Sequence, residues 1–142
     1  MSYANYMPND SQRLARSVAR LNRRLRQERQ TELTATQLSV LGSIMKLGTA
    51  TPGAIAAHER VQPPSITRTL NCLVDEGLVL REQHPEDGRQ VLISLSDKGE
   101  DVLAEERARR DEWLAHRLAE LTSDERAVLR KASDLLEGLA SA

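Results

Sequence analysis

The 142-residue chain has no phenylalanine, one tryptophan, two tyrosines and one cysteine. The lone cysteine, Cys72, excludes an internal disulfide framework and suits a reducing compartment. With so few rings, any ligand pocket must be lined mostly by aliphatic side chains. No apolar run approaches the roughly 18 residues of a membrane span. The opening MSYANYMPND lacks the basic-then-apolar order of a secretion signal, so a cytoplasmic location is expected. His58, His84 and His116 fall in different predicted elements without ligand spacing, and no metal or cofactor is expected. Phosphate-binding loop, nucleophile with a paired base, and carboxylate pair in a predicted cleft are all missing, so nothing points to an enzyme.

What is present is charge, unevenly placed. Net charge is −1. Residues 1–33 hold seven arginines against three carboxylates, a net +4; residues 34–95 hold five cations against six carboxylates, a net −1; residues 96–142 hold eight against twelve, a net −4. The basic start either meets nucleic acid or anionic lipid, or pairs with the acidic end of the same chain. A chain of this length buries about 70% of its unfolded surface without a staple.

Periodicity predicts six helices and a hairpin. Leu14, Val18, Leu21 and Leu25 form a helical stripe over Ser11–Arg29. Thr34 and Gln37 fit a capping box, opening a helix through Leu38, Leu41, Ile44 and Met45 that Gly48 closes. Thr51 caps a short helix, Pro52–His58, with proline in its first turn. Gln62–Gly77 holds the next, started by Pro63 and Pro64. The period then changes: residues 78–81 and 91–95 read as strands around the turn-forming His84–Arg89. Ser96 caps a long helix to about Leu121, with Val102, Leu103, Trp113, Leu114 and Leu118 as its apolar members. Thr122 and Glu125 form a second capping box before Val128, Leu129, Leu135, Leu136 and Leu139.

Within Gln62–Gly77, Ile66, Leu70, Leu73 and Val74 share one face. The opposite face carries Pro64, Ser65, Arg68, Asn71 and Cys72, with Thr67 near the edge of the buried stripe. Short polar groups with one arginine suit the DNA major groove. Arg68 either donates to guanine or grips a phosphate. At the hairpin tip, Gly88 permits a sharp turn beside Arg89, whose flat cation suits a narrow minor groove; Asp87 and Arg89 also fit a plain solvated turn. Arg16 and Arg20, one helical turn apart, either hold a ligand carboxylate or form salt bridges.

The order of elements is that of a winged helix-turn-helix. The expected fold is mainly α with a small β-hairpin wing, and three segments are predicted. Residues 1–33 form an N-terminal dimerisation helix, 34–95 the DNA-binding module, and 96–142 the C-terminal dimerisation helices. The flanking stripes exceed what the module offers to bury, which implies a second copy.

From Ser11 to Leu139 the sequence resembles the MarR family of bacterial transcriptional regulators. The resemblance is sharpest at Ser65-Ile66-Thr67-Arg68-Thr69-Leu70, at Glu76-Gly77-Leu78-Val79, at Asp87-Gly88-Arg89 and at Leu92 to Ser96. It implies a recognition helix at 65–77 and a wing whose Arg89 enters the minor groove, oriented by Asp87. It also implies a homodimer on an inverted-repeat operator of double-stranded DNA, and often a small anionic or phenolic effector between the dimer and DNA-binding regions. Many relatives carry a second cation between Asp and Arg; Gly88 here removes it. Oxidant-sensing cysteines of the family lie near the N-terminus, which Cys72 does not match. The expected function is a DNA-binding repressor relieved by a small ligand. The competing class is a winged-helix protein-interaction adaptor, which the near-neutral charge of 34–95 favours.

Overall fold

The computed structural model describes residues 9–142; the expectation about a leader falls largely on residues 1–8, outside them. The helices are α1 (Asp10–Arg26), α2 (Ala35–Leu47), α3 (Pro52–Glu59), α4 (Pro63–Asp75), α5 (Asp97–Ala119) and α6 (Ser123–Ala140). The strands β1 (Val79–Gln83) and β2 (Val91–Leu95) lie between α4 and α5. The fold is the expected mainly α one with a hairpin wing. Among the described residues no helix is long and apolar enough to cross a membrane.

Both capping boxes form. Thr34 accepts from Gln37 N–H and Thr122 from Glu125 N–H, while the Gln37 and Glu125 side chains accept from the cap backbone in return. Thr51 caps α3 through Ala54 N–H, with Pro52 where a missing N–H costs nothing. β1 extends to Gln83, past the expected end at Arg81, because Glu82 and Gln83 pair with Leu92 and Val91. Cross-strand hydrogen bonds there override a polar local sequence.

The chain divides into two compact units. One is residues 30–108, and the hydrophobic core lies in it: Val40, Leu41 and Ile44 of α2, Ile55 and Ala56 of α3, Ile66, Leu70 and Leu73 of α4, with Leu78, Val79, Ile93 and Leu103. Ala50 bridges to Ile93 and joins this core. The buried face of α2 is centred on Val40 rather than Met45, which is 40% exposed. Of the described residues, 9–29 and 109–142 form the other unit. In it, neither α1 nor α6 has a buried residue. Leu14, Val18, Leu21, Val128, Leu135 and Leu139 are all exposed. Arg24 lies 4.7 Å from the Trp113 ring centroid and 2.7 Å from Glu28, so this part of the basic start is held by a ring and by a carboxylate just past the end of α1.

Candidate nucleic-acid interface

α4 starts on a proline pair and presses Ile66, Leu70 and Leu73 into the core, each no more than 2% exposed; Val74 is half-buried. The opposite face puts Pro64, Ser65, Thr67, Arg68, Asn71 and Cys72 in the open. Thr67 is exposed beside the half-buried Val74. Its hydroxyl donates to the Pro63 carbonyl at 3.1 Å, so it offers outward a lone pair and a methyl group.

The far end of α4 is closed firmly. Leu78 N–H donates to Leu73 O and Gly77 N–H to Val74 O, both at 3.0 Å, with Gly77 at φ +75°. α5 begins on this same corner. Ser96 Oγ donates to Gly77 O at 2.6 Å and accepts from Gly99 N at 3.0 Å, while Lys98 Nζ reaches Glu76 O at 3.0 Å. The helix before α4 is tied down in turn. Ser43, buried on α2, donates to Glu59 Oε1 at 2.5 Å and lies 2.8 Å from His58 Nδ1; Ser39 lies 2.9 and 3.0 Å from the same carboxylate's oxygens. This cluster ties α3 to α2, and sequence periodicity gave no sign of it.

The wing tip is a hydrogen-bonded loop. Gln83 Nε2 donates to Gly88 O at 3.1 Å, and His84 Nδ1 accepts from the backbone N–H groups of Glu86 and Asp87 at 3.1 and 3.2 Å. Asp87 Oδ1 accepts from Arg89 N–H at 3.1 Å and lies 3.6 Å from Arg89 Nε. The Arg89 side chain is 94% exposed, so the pair adds little to stability. What it does is aim a cation into solvent.

The outward residues of α4 thus share one face, and Asp87 and Arg89 share the tip. Arg16 and Arg20 are exposed on α1, in the other compact unit. Two cations escaped the sequence reading. Arg81, read only as the end of a strand, donates from Nη2 to Asn71 Oδ1 at 2.5 Å. Arg60, in the turn between α3 and α4, has φ +56°, a conformation unusual without glycine. A cleft of about 610 Å³ in the 30–108 unit is floored by Leu33, Leu78 and Val102 and edged by Glu32, Glu76 and Lys98. Among the described residues no three potential ligand side chains gather as a metal site would require.

Residues 33–91 match the model of the MarR family. An HTH-type transcriptional regulator of Mycobacterium leprae is 48% identical over 124 residues, covering 87% of each chain. The crystal structure of a candidate transcriptional regulator from Pseudomonas aeruginosa superposes with a TM-score of 0.83 at 37% identity, over 96% of this chain and 99% of that one. A mutant MarR from Escherichia coli, solved in complex with operator DNA, superposes at 0.66 with 28% identity, over 90% and 96%. Winged helix-turn-helix core, flanking helices and relatives agree: the chain belongs to the MarR family and is a transcriptional regulator of that type.

Proposed function

We propose that the protein is a homodimeric repressor that reads an inverted-repeat operator and is released by a small ligand. The observation that carries DNA reading is the pairing of two exposed elements. The outward face of α4 offers Ser65, Thr67 and Arg68, flanked by Pro64 and Asn71, and the wing offers a nearly fully exposed Arg89 beside Asp87. A helix face suits the major groove and a lone guanidinium the minor groove. The solved complex of the Escherichia coli relative with operator DNA supports the same partner.

A second copy would cover the exposed Leu14, Val18 and Leu21 of α1 and Val128, Leu135 and Leu139 of α6. Two copies would set their α4 helices about 34–36 Å apart, one turn of duplex. This reading assigns residues 1–33 and 96–142 to dimerisation and 34–95 to DNA. The cleft edged by Glu32, Glu76 and Lys98 is the effector site in this reading. Glu32 and Glu76 there would accept a phenol's hydroxyl and Lys98 would pair with an anion, whereas Arg16 and Arg20 on α1 would serve an anion alone.

Binding of the protein to its own upstream DNA tests the reading. Arg89→Ala should weaken it severalfold, and salt dependence should correspond to fewer than about ten released ions, given the net −1 of residues 34–95. Equal, weak binding of wild type and Arg89→Ala would favour the adaptor reading, which the near-neutral charge of the module supports. Sedimentation at two concentrations tests the dimer.

A further inference from the structure

Asn71 stands where an amide would meet a base edge, yet its acceptor is taken. A bidentate contact to adenine uses both the oxygen and the nitrogen of the amide. Here Oδ1 accepts from Arg81 Nη2 at 2.5 Å.

The hairpin register explains how the two meet. Val79, Arg81 and Gln83 pair with Leu95, Ile93 and Val91, so these six share one face. Val79 and Ile93 are buried on that face, which turns it toward the core that α4 also lines. Arg81 is one step further out on the same side, and its side chain is exposed. Its stem therefore runs along the margin of the core and its guanidinium arrives at the outward face of α4.

The partner matters as much as the position. Arg81 takes part in no ion pair among the described residues; the group that holds it is a neutral amide. A neutral acceptor fixes a guanidinium without cancelling its charge. It also leaves most of the five N–H donors free for a phosphate. Arg89, by contrast, shares its charge with Asp87.

We propose that Arg81 is a DNA-backbone contact, gripping a phosphate at the edge of the groove that α4 enters. Asn71 is then a positioning residue that holds Arg81, not a reader of bases. The inference rests on the DNA-binding function proposed above. It supplies a phosphate-seeking cation from within a module whose net charge is −1 over residues 34–95.

Two duplexes test it: one that the protein selects from a random pool, and a mixed-sequence duplex of equal length. Affinity is measured over a salt series for wild type, Arg81→Ala, Arg81→Lys, Asn71→Ala and the double Ala variant, with thermal melting to confirm that each is folded. Arg81→Ala should weaken both duplexes by the same factor and lower the salt slope by about 0.9 per copy of the chain. Arg81→Lys should keep the slope. Asn71→Ala should weaken both duplexes equally without altering base preference, and the double variant should bind no more weakly than Arg81→Ala. A changed base preference in Asn71→Ala, additive losses in the double variant, or an unchanged slope in Arg81→Ala overturns the proposal while Arg89→Ala still weakens binding. If Arg68→Ala and Arg89→Ala also leave binding unaltered, the DNA-reading function falls with it.

Discussion

Gly99→Ala isolates a single contact on which the placement of α4 depends. Gly99 lies in the first turn of α5, and a Cβ built there would sit 2.1 Å from the Leu78 carbonyl oxygen, against 3.4 Å for ordinary contact. The shortfall cannot be absorbed by a swinging side chain, because the obstacle is backbone. Leu78 is 2% exposed, its N–H is bonded to Leu73 O, and its oxygen accepts from Ser96 N–H at 3.0 Å. Opening the gap means moving the start of α5 or giving up that bond. Overpacking of this kind costs about 1–3 kcal/mol, and a lost hydrogen bond about 1 kcal/mol. Alanine's helix propensity works the other way by at most about 1 kcal/mol, and less in a first turn. The clash wins, for a net loss of about 1–3 kcal/mol. Urea unfolding at fixed protein concentration should show a lower midpoint with an unchanged slope, and Tm should drop by roughly 3–10 °C. Gly53→Ala is the matched comparison: it too lies in a first turn, but the nearest atom to its Cβ is Thr51 Oγ1 at 4.0 Å, so stability should hold or rise slightly. A Gly99→Ala protein as stable as Gly53→Ala would refute the reasoning.

Other perturbations follow from the same structure. Ser43→Ala removes the hydroxyl shared by Glu59 and His58 and should cost about 1.5–3 kcal/mol in chemical unfolding, since one of its partners is charged. A loss under a few tenths would mean that the cluster does not tie α3 to α2. Thr122→Ala should cost about 0.5–2 kcal/mol through the lost cap of α6. The same cap predicts a pH effect. The Thr122 backbone N–H, and then its side chain, hold the Glu125 carboxyl below its ordinary value of 4.5. A lowered folded value means the contribution is complete above about 4.5 and fades as pH falls through the folded value. Wild type should therefore lose stability across that acid window more steeply than Glu125→Gln; parallel curves would exclude the effect.

Sequence patterns located what depends on near neighbours. Thr34, Thr51 and Thr122 each cap the helix expected of them, because a cap is a bond across three residues. Ile66, Leu70 and Leu73 are buried because a helix has one period. What escaped depends on distant pairing. The end of β1 is set by β2, not by its own polar residues. The partner of Asn71 lies ten positions along, across a turn whose geometry no local pattern encodes. Ser43 reads as a mid-helix serine until α3 brings Glu59 to it. Met45 fits the α2 stripe as well as Val40 does, and only the packing of that helix against its neighbours separates them.

The loop that carries Arg89 is held at its base by a ring nitrogen as well as by backbone. Two backbone amides, those of Glu86 and Asp87, converge on His84 Nδ1. That nitrogen can accept only when the ring keeps its proton on Nε2. An alanine in place of His84 leaves both amides without that acceptor. Asp87 is then held only by its bonds to Arg89 N–H and Gln90 N–H. The imidazole at the base of the tip thus helps to hold the residue beside which Arg89 stands. His84→Asn, which retains a short side-chain acceptor, is the substitution most apt to keep the arm's direction.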